Sequence, residues 1–168
     1  MGFDFAARLI TVAFMSALPL LAHAAEPAKS SQKADAGSLA RGKYLLIIGG
    51  CNDCHTAGYA VTNGKVPEKD WLMGDRLRWR GPWGTTYAVN LRQYMQTLTE
   101  TQWVEKAKKL ETRPPMPWDN IRAMTTQDLR AIYRYIRHLG PAGEPAPAYV
   151  PPDKDPPPPF VTFPAPPK

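Results

Sequence analysis

Cysteine is nearly absent from this chain of 168 residues; there are two, Cys51 and Cys54. Two cysteines so close together exclude a disulfide framework as the source of stability. Histidine is scarce too, with three in all. A zinc site has little to draw on, because beyond His55 and the N-terminal stretch only His138 remains. No apolar run is long enough to span a bilayer. The longest, 9–21, has the length of a signal-peptide core, and Ala22-His23-Ala24 after it offers the small residues that signal peptidase reads. Residues 1–24 therefore read as a signal peptide, and the mature product as exported to the periplasm. No cysteine follows that run, which excludes a lipoprotein anchor. No Arg-Arg pair precedes it, which points to export before folding and to a cofactor added afterwards. Strand-like alternation and internal repeats are also missing.

What is present is ordinary in amount and uneven in place. Hydrophobic residues make up 43% and charged residues 21%, which suits one globular domain. The net charge of +6 would favour nucleic acid, an anionic surface or an acidic protein. Export argues against nucleic acid, which leaves a redox protein with an acidic docking face, and a membrane only through a partner complex. Of the 19 prolines, 12 follow Gly140, so the excess belongs to the C-terminal stretch.

The chain divides accordingly. Residues 25–35, rich in Ala, Lys, Ser and Gln, read as a disordered lead-in. The domain proper is 36–141. A first helix over 36–50 carries Leu39, Leu46 and Ile47 on one face and ends at Gly49-Gly50. Gly42 inside it costs about 1 kcal/mol against Ala and suggests the close approach of another backbone. Residues 56–98 hold many Gly, Trp and Tyr without a period and read as long loops around something large and apolar. Thr99 with Gln102 predicts a capping box opening a helix over 99–111. Thr125 predicts the cap of a last helix over 125–139, with Leu129, Ile132, Tyr133, Ile136 and Leu139 as its stripe and Gly140-Pro141 as its stop. Residues 142–168 form a proline-rich tail, which either wraps the domain through Tyr149, Val150, Phe160 and Phe163 or extends free.

The chemistry is carried by Cys51-Asn52-Asp53-Cys54-His55, a C-x-x-C-H haem attachment signature. Two thiols at that spacing reach the two vinyl groups of one porphyrin, and the next residue offers an imidazole nitrogen to iron. A thioredoxin-like dithiol would need a surrounding β-α-β pattern, which is missing. The cofactor is one covalent haem c with its iron, and Cys51 and Cys54 hold it. The donors for the sixth iron position are His138, Met73, Met95, Met116 and Met124. Met116 stands out. The segment Arg113-Pro114-Pro115-Met116-Pro117-Trp118 fixes φ at three prolines around one thioether and holds it in a stiff loop between helices. Met73 is next. His55/Met116 ligation raises the reduction potential relative to two histidines.

These residues resemble the class I cytochrome c family: Ala40-Arg41-Gly42-Lys43-Tyr44, Cys51 to His55, Pro115-Met116-Pro117 and the last helix. Within it the chain is similar to the haem domains of cytochrome subunits of membrane-bound alcohol and sugar-acid dehydrogenases. Gly84-Thr85-Thr86-Tyr87 with Asn90-Leu91 resembles their G-T-I-Y-x-x-N-I stretch, and Met116-Pro117-Trp118 their M-P-Y. The resemblance implies an all-α class I cytochrome c fold, three to four helices with long loops wrapped around one covalently bound haem. It also implies that the first and last helices cross near Gly42 and the Tyr133 to Ile136 region.

Five further side chains are candidates for the haem pocket: Trp79, Trp83, Tyr87, Arg78 and Arg80. An indole N–H of Trp79 or Trp83 can donate to a haem propionate, and an arginine can neutralise one. Pro67 is a candidate for the carbonyl that orients the His55 ring. Lys106, Lys108, Lys109 and Arg113 lead into the Met116 loop and would place positive charge where a redox partner docks. The sequence thus predicts an electron carrier between a dehydrogenase or other redox partner and the respiratory chain. It is not itself an enzyme. The alternatives are a haem enzyme or gas sensor with an open or labile sixth position, and a docking subunit that uses the tail.

Overall fold

The computed structural model describes, besides Met1, residues 28–164, with side chains from Asp35 onward. Most of the expected signal segment and the start of the lead-in lie outside the described residues. Among the described residues six α-helices and three short strands follow one another in the order α1 (Ala28–Ile48), α2 (Cys51–His55), β1 (Arg78–Gly81), β2 (Gly84–Thr86), α3 (Leu91–Tyr94), α4 (Glu100–Lys108), α5 (Trp118–Ala123), α6 (Thr126–Leu139) and β3 (Phe160–Thr162).

The first helix begins at Ala28, inside the stretch 25–35 read as a lead-in. The sequence from 28 to 36 holds no Pro or Gly, and nothing there stops a helix from running on toward Pro27. α1 and α6 cross at Gly42. A Cβ on that residue would lie 2.2 Å from the Ala131 carbonyl oxygen and 2.7 Å from the Tyr135 Cβ. The crossing is possible because there is no side chain at 42. It is framed by an Arg41–Asp128 ion pair at 2.9 Å and by Glu68, which accepts from the Tyr135 hydroxyl at 2.6 Å and pairs with Lys43.

α6 buries Leu129, Ala131, Ile132, Tyr135 and Ile136. Full burial of each large apolar side chain contributes about 1.5–3 kcal/mol. Thr125 caps this helix, accepting from the Asp128 N–H at 3.1 Å, and Gly140 ends it. α4 carries the predicted capping box of Thr99 and Gln102 and packs on α6, where the Trp103 indole donates to the Leu129 carbonyl at 2.8 Å. Arg92 is buried in the same core. It donates to the carbonyls of Lys69 and Gly140, each at 2.6 Å, and to that of Leu139. Its charge thus meets the negative end of α6.

The long loop region is tied by backbone bonds. Gly74 N–H donates to the His55 carbonyl at 2.8 Å, and Leu91 N–H to that of Leu72 at 2.9 Å. A small sheet of three strands accompanies the helices. β1 and β2 form a hairpin across the turn 81–84, and β3, from the tail, adds in parallel to the other edge of β1. Strands of three or four residues are too short to show an alternating pattern in the sequence. The tail is therefore bound to the domain along β1.

Candidate functional site

α1 ends at Ile48, the chain turns through Gly49 and Gly50, and the five-residue helix α2 starts at Cys51 and closes at His55. One helical turn thus carries both thiols and the imidazole. They line a single cavity of about 460 Å³, a size typical of small-molecule and cofactor sites. Its walls come from every part of the fold: Leu46 from α1, Trp103 from α4, Ile121 from α5, Ile132 and Ile136 from α6.

His55 is buried. Its Nδ1 lies 2.8 Å from the carbonyl oxygen of Val89. A carbonyl only accepts, so Nδ1 carries the proton. Burial lowers the His55 pKa, and the bond to Val89 offsets this in part. The imidazole is neutral at pH 7, with an unprotonated Nε2 available as a metal ligand. The orienting carbonyl is Val89, not Pro67. Val89 reaches it because Asp75 N–H donates to the Ala88 carbonyl at 3.3 Å, which draws the segment after β2 beside the end of α2.

No disulfide joins Cys51 to Cys54. Burial pushes the Cys51 thiol up to about 11, and it raises Cys54 as well. The thiolate is the reactive form of a cysteine, and burial disfavours it at both positions. Among the described residues no group of three His, Cys, Asp or Glu side chains gathers to hold a bare metal ion.

Of the methionines, Met116, Met95 and Met124 line the cavity with His55. Met73 does not; it packs against Gly143 of the tail. His138 is exposed and lies outside the lining. The Met116 loop is anchored by Thr86, whose hydroxyl donates to the Pro114 carbonyl at 2.9 Å, and Pro115, Met116 and Pro117 all face the cavity. The site offers two thiols, a neutral imidazole and soft thioethers around an apolar space. That set can hold a flat apolar macrocycle with a metal at its centre.

The five further candidates separate. Trp79 and Tyr87 line the cavity, whereas Trp83, Arg78 and Arg80 do not. Arg80 donates to the Lys154 carbonyl at 2.8 Å and pairs with Asp155 at 2.6 Å. Arg78 donates to the Pro159 carbonyl at 3.3 Å. Trp83 packs on Phe163, ring centroids 5.5 Å apart. All three hold the tail. Alternation along β1 puts Arg78 and Arg80 on one face and Trp79 on the other. Sequence reasoning missed two cavity residues from the tail, Pro147 and Tyr149, and placed Arg113 at a docking surface when it also lines the cavity. Lys106, Lys108 and Lys109 are all exposed, and Lys108 also donates to the carbonyls of Arg122 and Met124.

Among the described residues no helix is long and apolar enough to cross a membrane. No family model matches the chain, and no solved structure matches it. The chain is similar to the fructose dehydrogenase cytochrome subunit of Gluconobacter japonicus, with 27% identity over 156 residues that cover 84% of this chain. It spans 29% of the length of that relative, and the likeness is to a cytochrome subunit of a dehydrogenase.

Proposed function

We propose that this chain is a periplasmic electron carrier of the class I cytochrome c type, loading one haem covalently at Cys51 and Cys54 with His55 and Met116 as axial ligands. The observation that carries this reading is that the two thiols, the imidazole and the proline-locked thioether line the same apolar cavity. A haem bound there supplies reversible one-electron chemistry at its iron. The chain's own residues do the rest. His55 presents Nε2 while Val89 holds its ring and tautomer. Met116 offers a soft ligand from a loop that Thr86 ties down. Leu46, Trp103, Ile121, Ile132 and Ile136 keep water from the site, which favours the less charged, reduced form.

One electron enters from a redox protein such as a dehydrogenase, and one leaves to an acceptor protein toward the respiratory chain. Among the described residues the cavity lining holds no carboxylate and no second histidine; its titratable groups besides His55 are Cys51, Cys54, Tyr87, Tyr94, Arg113 and Tyr149. Exposed Lys106 and Lys109, near the Met116 loop, suit a partner with an acidic face.

The test is an optical spectrum of the purified protein, oxidised and reduced, with and without carbon monoxide. A c-type reduced spectrum, a weak long-wavelength thioether–iron band in the oxidised form and no response to carbon monoxide are expected. Met116→Leu should abolish that band and make the reduced protein bind carbon monoxide. A parent protein that binds carbon monoxide readily would overturn the closed His/Met site and put a sensor or enzyme in its place.

A further inference from the structure

The proline-rich tail is pinned on both sides of Tyr149. Upstream, the Asn90 side-chain amide donates to the carbonyls of Ala142 at 2.8 Å and Glu144 at 3.1 Å. Downstream, Val150 exchanges two backbone hydrogen bonds with Thr85, at 2.7 and 3.0 Å, and β3 adds to β1. Tyr149 itself donates to the Trp83 carbonyl at 2.8 Å. Its seat is cut into β2. Gly84 has φ +98, and a Cβ there would lie 2.4 Å from the Val150 carbonyl oxygen and 2.8 Å from the Tyr149 hydroxyl. A side chain at 84 would lift the tail off the domain.

Tyr149 also walls the cavity, and the guanidinium of Arg113 lies over its ring at 3.9 Å from the centroid. Among the described residues that line the cavity, Arg113 is the one formally charged side chain. Its guanidinium has no carboxylate or carbonyl partner among the described residues. A ring against the face of a guanidinium leaves the N–H edge free for a bidentate acceptor. The titratable groups that share the cavity with it are Cys51, Cys54, His55, Tyr87, Tyr94 and Tyr149. Its chain neighbours Lys109 and Glu111 lie outside the lining. An apolar cavity with one cation at its rim and no anion suits a ligand that is apolar over most of its surface and anionic at one edge. Arg78 and Arg80, the arginines expected in that role, are engaged by the tail.

We propose that the tail is part of the cofactor site: Arg113 meets the propionate edge of the haem, and Tyr149 is the residue that positions it there. This rests on reading the cavity as a haem site. A positive charge beside the haem favours the reduced form, which carries one positive charge fewer, and holds the propionate pKa down.

The test is the reduction potential as a function of pH for the full-length, haem-loaded protein and three variants. Arg113→Gln should lower the potential at pH 7 and move the propionate step in the profile upward by about one pH unit. Tyr149→Leu should shift both in the same direction, by less. Tyr149→Phe keeps the ring under the guanidinium and should retain the parent profile. An Arg113→Gln profile that superimposes on the parent overturns the proposal. So does a Tyr149→Leu profile that superimposes while Arg113→Gln shifts, because the tail then has no part. In either case a carbon-monoxide-inert c-type spectrum shows that the carrier reading still stands. A protein that takes up no haem overturns both.

Discussion

Alanine at two glycines of the same helix should change stability in opposite directions. Gly42 and Gly37 both lie within α1. In an open helix, Gly→Ala gains about 0.8–1 kcal/mol from reduced backbone freedom. At Gly37 nothing stands within 4 Å of the new methyl, so that gain should appear in full. At Gly42 the methyl would sit 2.2 Å from the Ala131 carbonyl oxygen, over an ångström inside ordinary contact, with the Ala131 carbonyl carbon at 2.8 Å. These are mostly backbone atoms of α6, which cannot turn aside as a side chain would. The helices must part, and they loosen the packing of Leu46, Ile132 and Ile136, which wall the cavity. Overpacking of this kind costs about 1–3 kcal/mol, and parting a helix pair belongs at the upper end. After the propensity gain, a net loss of about 2 kcal/mol remains. For a chain of this size each kcal/mol shifts Tm by about 2–4 °C. Gly42→Ala should therefore melt about 4–8 °C lower and Gly37→Ala a few degrees higher, by far-ultraviolet circular dichroism on the full chain. A Gly42→Ala protein that melts at or above the parent would refute the crossing.

Two further predictions concern charge. Arg92→Met keeps the volume of the buried side chain but removes its bonds to Lys69, Leu139 and Gly140. Carbonyls left without their charged donor cost about 3–5 kcal/mol in all, so urea unfolding should show a large fall in midpoint; a change under about 1 kcal/mol would contradict this role. The second concerns acid. Glu68 is held below its ordinary 4.5, first by Lys43 and then by the Tyr135 hydroxyl, and Asp128 below its ordinary 3.8 by Arg41. Depressed folded values mean that their stabilisation is full above about pH 4.5 and drains as pH falls through and below it. The urea midpoint of Glu68→Gln/Asp128→Asn should vary less with pH below 4.5 than that of the parent, and added salt should shrink the difference because both pairs are partly exposed. Parallel midpoint curves for the two proteins would sink this account.

Much of the site was legible because its first requirements are local. The spacing of Cys51, Cys54 and His55 places three functional groups on one turn wherever that turn goes. Thr99 with Gln102 and Thr125 with Asp128 satisfy the first N–H groups of their own helices. Gly42 was legible as a defect: a glycine inside a helix implies a close neighbour, and the structure supplies Ala131. The misassignments share a cause. Val89 lies 34 residues from His55, and the carbonyls that engage Arg78 and Arg80 lie 72 to 81 residues away. No spacing rule reaches that far. Met73 and Met95 look alike as residues, and only their neighbours separate a methionine packed on Gly143 from one in the cavity.

The sequence by itself determined the chemistry available: two thiols and an imidazole on one turn, a thioether stiffened by prolines, and helices with their own caps and stops. These follow from covalent spacing and from hydrogen bonds that close within four residues. Tertiary structure alone decided which carbonyl orients His55, which methionines face the cavity, and that the tail serves as a wall instead of a free extension. Those outcomes depend on which surfaces are buried together. Burial is a property of the whole packed chain, in which Gly84 must make room for Val150 before Tyr149 can meet Arg113.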